Sequence, residues 1–256
     1  MDKTSLANRM KEYYENIPKI KLIRRTPVII RLDGRSFHTF TKGFNKPFDD
    51  VLIKTMQETM KYLCENIQNC VFGYTQSDEI SLALVDYKNL NSSAWFDYEV
   101  QKICSISASM TTMIFNKLFE KNLRNWNIDS YKMYSIYTKA SIKGAMFDSR
   151  CFNIPKEEVT NYFYWRQLDA TRNSIQMLGQ SQFSHKELQN KSCNMIQDML
   201  LTKKDINWNN LPIYKKRGSA CRRNKTGQWE IDIEMPILKN TEEVNYRHYV
   251  DSLIDF

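Results

Sequence analysis

Two short acidic motifs in this chain carry residue types suited to phosphoryl chemistry. Arg31-Leu32-Asp33-Gly34-Arg35 ends the apolar run Val28-Ile29-Ile30, and Ser77-Asp78-Glu79 separates Val71-Phe72-Gly73-Tyr74 from Ile80-Ser81-Leu82-Ala83-Leu84-Val85. Each puts a carboxylate at the end of a predicted strand. A triphosphate carries several negative charges that repel an incoming nucleophile. Two hard divalent cations held by carboxylates neutralise that charge and lower the pKa of an attacking hydroxyl. Asp33 and Asp78 are candidate ligands bridging two Mg²⁺ ions, and Gly34 lets the backbone approach closely enough to add a carbonyl oxygen. Arg35, Ser36, Phe37 and His38 follow at once, with N–H groups and polar or cationic side chains able to hold phosphates.

Each motif also has a plainer reading. Asp-Gly is a common turn, and Ser-Asp-Glu suits a hairpin tip. Taken singly, both are turn chemistry. Together, at two strand ends with a glycine and a basic residue following one of them, they point to Mg²⁺-dependent nucleotidyl transfer.

A strand, a helix and a hairpin must bring the two carboxylates together. Pro27 to Leu32 reads as a buried strand, rich in β-branched residues. Residues 49–68 read as a helix with the apolar stripe Leu52, Met56, Met60, Leu63 and Ile67, and Asp49 suits its N-terminus. Residues 71–85 form the hairpin. A second long helix spans 98–120, with Ile103, Ile106, Met110, Met113, Ile114 and Leu118 inward and small residues that permit close packing. Residues 6–17, 158–178 and 185–201 read as further helices, the last opened by a Ser184/Glu187 capping box. Residues 133–147 are mixed and are expected to hold one or two strands. Trp229, Ile231, Ile233 and Met235 alternate with acidic residues as a half-buried strand after a Thr226-Gly227 turn. The expected division is an α/β core over residues 1–150 and a largely helical part with a β-hairpin over 151–256, packed on the core or continuous with it.

The chain has 256 residues, 42% of them apolar, enough for a sizeable core. No run of about 18 apolar residues suggests a membrane span. The first residues, Met1-Asp2-Lys3-Thr4-Ser5, lack an apolar signal region, and the six cysteines form no C-x-x-C pair, so a reducing cytoplasm is expected. A formal net charge of +8 favours a polyanionic partner.

Longer motifs sharpen this reading. Arg31 to His38, Lys46-Pro47-Phe48-Asp49, Gly73 to Glu79, Phe147-Asp148-Ser149-Arg150, Tyr164-Trp165-Arg166-Gln167 and Leu211 to Lys216 run in the order of the tRNA(His) guanylyltransferase family, which the chain resembles from about residue 5 to 225. The resemblance implies an α+β fold: a palm-like, ferredoxin-type antiparallel sheet flanked by helices, with an additional helical C-terminal part. It implies addition of nucleotides to the 5′ end of tRNA in the 3′-to-5′ direction, with ATP and GTP as substrates, Mg²⁺ as cofactor and a homotetrameric assembly. Carried over by position, Asp33, Gly34 and Asp78 would hold the metals, and Glu79 would support the site. Asp33 to His38 with Ser77 would line the nucleotide, joined by Lys46, Asp49 and a triphosphate-facing Lys102.

Two departures carry information. Where eukaryotic members have His-Ile-Asn-Asn, this chain reads Thr171-Arg172-Asn173-Ser174, and Lys46-Pro47-Phe48-Asp49 is similar to the bacterial and archaeal branch. That branch repairs 5′-truncated tRNA against a template, so repair is expected over tRNA(His) maturation. Glu99 stands where the family commonly has an arginine.

The basic stretch from Tyr214 to Lys225 reads as a loop, and Lys215, Lys216, Arg217, Arg222 and Arg223 are candidate tRNA backbone contacts, with Arg166 and Asn173 added by resemblance. Lys21, Arg24 and Arg25 could do the same or pair with surface acids. The aromatics Tyr162, Phe163, Tyr164 and Trp165 read as helix core rather than as a base-stacking surface. The competing functional classes are a palm-type nucleotide cyclase or 5′-to-3′ polymerase, and a tRNA-binding module without chemistry.

Overall fold

A computed structural model describes residues 5–126, 130–239 and 244–255. Its centre is a six-stranded sheet in the order β4-β1-β3-β2-β5-β6, with every described pairing antiparallel. The strands are β1 (Val28–Gly34), β2 (Cys70–Gln76), β3 (Glu79–Leu84), β4 (Phe147–Asn153), β5 (Ser219–Arg223) and β6 (Trp229–Asp232). In β1, Val28, Ile29, Ile30 and Leu32 are all fully buried. A strand apolar on both faces must be covered on both faces, which places it centrally.

Helices supply those covers. In chain order they are α1 (Leu6–Met10), α2 (Phe37–Phe40), α3 (Asp50–Asn66), α4 (Val100–Asn125), α5 (Tyr131–Lys143), α6 (Lys156–Gln182), α7 (His185–Leu188), α8 (Cys193–Lys204), α9 (Ile213–Arg217) and α10 (His248–Asp251). Helices α3 and α4 bury Met56, Met60, Leu63, Ile103 and Phe115 against Val28, Ile30 and Leu32. On the other face, α6 and α10 bury Val159, Tyr162, Phe163 and Val250 against Ile29, Phe72, Tyr74 and Ala83. The far half of α6 packs on α8 through Ile175, Leu178, Ile196 and Leu200. No described helix is long and apolar enough to cross a membrane.

Several elements depart from the sequence expectation. Residues 131–143 are helical, and the strand begins only at Phe147, after Gly144 with φ 71° ends α5. The long helix buries Ile103, Ser107, Thr111, Phe115 and Phe119, whereas Ile106 and Met113 face outward. Its hydroxyls can face the sheet because their hydrogen bonds are satisfied: Thr111 Oγ1 donates to the Ser107 carbonyl at 2.7 Å, Ser107 Oγ donates to the Ile103 carbonyl at 2.6 Å, and Ser107 Oγ also meets Ser149 Oγ of β4 at 2.8 Å. The helix expected over 185–201 is split into α7 and α8, although the Ser184/Glu187 capping box is present. The basic stretch read as a loop is α9 followed by β5, which pairs with β2 through Gly73↔Cys221 and Tyr74↔Ala220. Strand β4 runs across residue 150, and β5 and β6 extend the same sheet.

One glycine is required where β1 turns into α2. A Cβ on Gly34 would lie 2.2 Å from Cδ2 of Phe37, whose ring is held among Phe40, Phe115 and Phe147 at centroid distances of 5.1, 5.6 and 5.2 Å. Gly34→Ala is therefore expected to destabilise the fold by about 1–3 kcal/mol. A thermal melt should show a drop of roughly 2–4 °C per kcal/mol, and an unchanged melting temperature would contradict this packing.

Candidate active site

The carboxylates of the two motifs meet through backbone pairing. Gly34 N–H donates to the Asp78 carbonyl at 3.1 Å, one step beyond the Asp33↔Glu79 pair that closes the β1–β3 ladder. Asp78 sits in the two-residue loop between Gln76 and Glu79, with Ser77 in the left-handed region at φ 51°. Among the described residues, no cation pairs with Asp33 or Asp78. Burial pushes the Asp78 carboxyl above the usual carboxylate range, and the Asp33 charge adds to this. The Ser77 hydroxyl, donating to Asp78 Oδ1 at 3.0 Å, acts the other way.

Glu79 is held quite differently. It is 4% exposed, with Arg166 Nε donating to Oε1 at 2.7 Å and Nη2 to Oε2 at 2.8 Å, while Arg31 Nη2 lies 3.1 Å from Oε2. Burial pushes its carboxyl up, and the two guanidiniums pull it back down. Arg166 also donates to Asp169 Oδ2 at 2.9 Å. Two candidate ligands are thus left without counter-charge, and the third acidic residue is already neutralised. No group of three or more His, Cys, Asp or Glu able to hold a metal occurs among the described residues.

Beside Asp78 opens a cavity of about 550 Å³, a common size for a small-molecule site. Gly34, Ser36, Phe37, His38, Lys46, Asp49, Ser77 and Asp78 line it, so most of the expected nucleotide residues are brought together. Ser36, at φ 52°, turns the chain from β1 into α2. Asp49 has a structural task as well. It caps α3 by accepting from Leu52 N–H at 3.0 Å, and it accepts from Asn45 N–H and the Tyr137 hydroxyl at 3.1 and 2.7 Å. Asn173 and Lys215, expected at an RNA surface, line this cavity too, and Lys215 Nζ pairs with Asp50 Oδ1 at 2.6 Å.

Other expected residues lie apart. Lys102 is exposed on α4, its Nζ 5.9 Å from the Phe96 ring centroid, outside the cavity lining. Arg35 is exposed and outside the lining, and its N–H donates to the Met146 carbonyl at 2.8 Å. The RNA contact expected at Arg166 is corrected: the side chain is 4% exposed and neutralises Glu79. Lys216 is corrected likewise. Its Nζ donates to the Asn209 carbonyl at 2.6 Å inside the fold, where burial pushes the ammonium pKa down. Arg217 is partly buried, and its carbonyl accepts the Tyr74 hydroxyl at 2.5 Å. Arg222 lies over the Tyr249 ring and Arg223 over Trp229, at 4.2 and 5.0 Å from the centroids. Lys21 and Arg24 pair with Asp97, and Arg24 Nε also donates to the buried Asp86 at 2.7 Å. The backbone of Glu99 bridges Lys21 at the start of α4.

The sequence reading gave no role to Arg31, although strand alternation already puts it on the face of Asp33. It also missed Phe44, Leu52, Ile53, Met177 and Tyr214 as cavity walls. These converge from four separate elements, and no local pattern announces them.

An antiparallel sheet with two bare aspartates at one strand end, opening on a nucleotide-sized cavity, defines a palm-type nucleotidyl-transfer enzyme. Residues 7–155 match the family described as tRNAHis guanylyltransferase. A solved bacterial tRNA(His) guanylyltransferase-like protein in complex with ATP superposes with a TM-score of 0.84 at 42% identity, covering 98% of this chain and all of that one. A second such bacterial structure, in complex with GTP, gives a TM-score of 0.77 at 37% identity over 98% of this chain and 100% of that chain. The probable tRNA(His) guanylyltransferase of Dictyostelium discoideum is 28% identical over 231 residues, 84% of this chain and 82% of its own length. The chain belongs to the tRNA(His) guanylyltransferase family and is a nucleotidyltransferase.

Two outcomes follow from the charges. Arg166→Met leaves Glu79 buried with only Arg31 beside it, and should cost about 3–5 kcal/mol in denaturant unfolding. A loss below about 1 kcal/mol would show that the ion pair is not what holds this corner. Asp78 carries a folded-state pKa above its unfolded one, so its ionisation weakens the metal-free fold as pH rises through that folded value. In chelator, Asp78→Asn should therefore melt higher than wild type at neutral pH, with the gap closing on acidification. A variant that melts lower at neutral pH contradicts the assigned sign.

Proposed function

We propose that this enzyme extends the 5′ end of tRNA in the 3′-to-5′ direction, as templated repair of 5′-truncated molecules. The observation that carries the reading is the pair Asp33 and Asp78, without a protein cation beside either among the described residues, with Asp78 lining a cavity that accommodates a nucleotide. In the first step, an oxygen of the RNA 5′-monophosphate attacks the α-phosphorus of ATP and pyrophosphate leaves, giving an adenylylated end. In the second, the 3′-hydroxyl of an incoming nucleotide such as GTP attacks the 5′-phosphorus of the RNA and AMP leaves. A 5′-triphosphate end omits the first step and loses pyrophosphate directly. The ATP and GTP complexes of the bacterial relatives support nucleotides as substrates.

The donor set suits Mg²⁺. Two carboxylates and the Gly34 carbonyl are too few for an all-protein cage, and Mg²⁺ ordinarily keeps waters and substrate phosphates in its shell. When bound there, the ions would offset phosphate charge and favour the deprotonated hydroxyl. The chain's own groups position the reactants. His38, Lys46 and Ser77 line the nucleotide side, and Glu79 with Arg31 and Arg166 holds the strand end that carries Asp33.

Repair is favoured because the His-Ile-Asn-Asn position reads Thr171-Arg172-Asn173-Ser174, with Asn173 and Ser174 at the cavity. The eukaryotic relative described as a tRNA(His) guanylyltransferase supports the second reading, G addition to tRNA(His). A homotetramer in the cytoplasm completes the proposal. Exposed apolar residues at Leu6, Met10, Tyr13 and Ile17 are consistent with a subunit contact.

The test offers two tRNAs with Mg²⁺, ATP and all four nucleotides: one lacking its first 5′ nucleotide, and a full-length tRNA(His) without its extra G. Extension of the first only by the template-complementary base is expected. Efficient G addition to the second with poor repair would reverse the preference. Asp33→Ala and Asp78→Ala should each lower the rate by roughly 10³-fold or more, several kcal/mol of lost charge stabilisation, with an unchanged circular dichroism spectrum. Retained activity in either variant refutes its role.

A further inference from the structure

Helix α6 carries an indole that the core does not absorb. Tyr162 and Phe163 are buried as expected, whereas Trp165 is 51% exposed. A single exposed aromatic is ordinary on a protein surface. This one is held in place on several sides. The Arg166 guanidinium carbon lies 4.4 Å from its centroid, the Arg31 carbon 5.9 Å, and the Tyr162 ring meets it edge-on at 5.8 Å. Both guanidiniums are themselves fixed by Glu79, the cross-strand partner of Asp33. The orientation of the indole is therefore tied to the same ladder that places the catalytic carboxylate.

The β4 surface next to Arg31 is exposed. On β4, Arg150 lies across from Arg31 and Asp148 across from Asp33, and their side chains are 53% and 59% exposed. Two residues further along that face the sheet is closed, where Phe152 packs on Tyr162 at 5.9 Å. Helix α6 thus covers the Arg31 and Asp33 rows over β3, where Ser81 and Glu79 are buried, and leaves their β4 ends, Arg150 and Asp148, exposed, with Trp165 beside Arg31. The nucleotide cavity lies elsewhere, since its lining includes Asp78 but not Asp33, Arg150 or Trp165. The two bare carboxylates stand between two surfaces, one concave and one open.

Two substrates must meet at those carboxylates, and the cavity has room for one of them. We propose that the open face of β1 and β4 receives the 5′ end of the RNA, and that Trp165 is the platform on which its terminal base stacks. The inference rests on the function proposed above and adds to it the seat of the second substrate. Stacking on a fixed aromatic suits a terminal base because every base has a π-face, so an end of any sequence is accepted. The exposed Arg150, paired with Asp148 at 3.2 Å in a solvent-facing and therefore weak ion pair, can turn its cation to the phosphate backbone.

The test measures affinity for an acceptor-stem RNA hairpin with a 5′-monophosphate, carrying either an ordinary base or an abasic ribose at its first position. Wild type, W165L and W165F are compared, with ATP affinity measured alongside. Loss of one stacked base corresponds to about 5- to 150-fold in affinity. Wild type should lose that factor with the abasic end. W165L should lose it with the ordinary end and nothing more with the abasic end. W165F should recover most of the affinity, and ATP binding should change by less than about twofold in both variants. Losses that multiply when W165L is combined with the abasic end would overturn the assignment, as would an equal loss of ATP affinity. Wild type that binds and extends the RNA without discriminating the two ends removes Trp165 alone. Wild type that neither binds nor extends either RNA removes the proposed function, and this inference with it.

Discussion

Backbone pairing between β1 and β3 puts Asp33 directly across from Glu79, and the Gly34 to Asp78 bond of 3.1 Å closes that end of the sheet. Strand side chains alternate between faces, so a slip of one residue would exchange Asp33 with Leu32, sending a carboxylate into the core and a leucine to the site. The apolar residues Val28, Ile30 and Leu32 hold against such a slip, since all three are fully buried beneath α3 and α4. Burying one leucine-sized side chain contributes about 1.5–3 kcal/mol. The Asp33 carboxylate is thus located by hydrophobic residues buried beneath α3 and α4.

Charge is distributed unevenly around that register. Glu79 receives two guanidiniums, while Asp33 and Asp78 receive none among the described residues. A buried carboxylate without a partner is costly, and a buried pair that satisfies its hydrogen bonds is tolerated. The arrangement keeps one acid as a strut and leaves two without a cation among the described residues. Repulsion between like charges is part of the reason Asp78 sits above its usual range, together with burial. Such a site is unfavourable for the metal-free fold and favourable for anything that brings positive charge, which is the condition expected of ligands that await cations.

Elements with one dominant pattern were legible in the sequence. The central strand, the helix capped by Asp49 and the hairpin at Ser77 and Asp78 each follow a period or a turn signal. The helix over 131–143 was hidden because Tyr131, Tyr134 and Ile142 leave large apolar surface exposed and blur its face. Strand β5 was hidden because Arg222 and Arg223 gave it the composition of a loop, although their guanidiniums lie over the Tyr249 and Trp229 rings. Most expected cavity residues belong to contiguous motifs, so the sequence kept them together. Arg166 and Lys216 were misplaced because composition cannot tell a basic side chain that meets solvent from one that neutralises a buried acid or donates to a buried carbonyl.

Helix α6 links these observations. Its first half lies on the sheet through Val159, Tyr162 and Phe163, its middle supplies Arg166 to Glu79, and its next turns bring Ala170, Asn173 and Ser174 to the cavity. One helix therefore touches Glu79, the cavity beside Asp78 and, through Trp165, the Arg31 side chain on the face of Asp33. The turn where the eukaryotic His-Ile-Asn-Asn motif would fall is part of that cavity wall. A change of residues there alters the cavity wall while leaving the Glu79 pair, and hence the placement of Asp33, in force. The cavity wall and the Glu79 pair are carried by different turns of the same helix, so a substitution in one need not disturb the other.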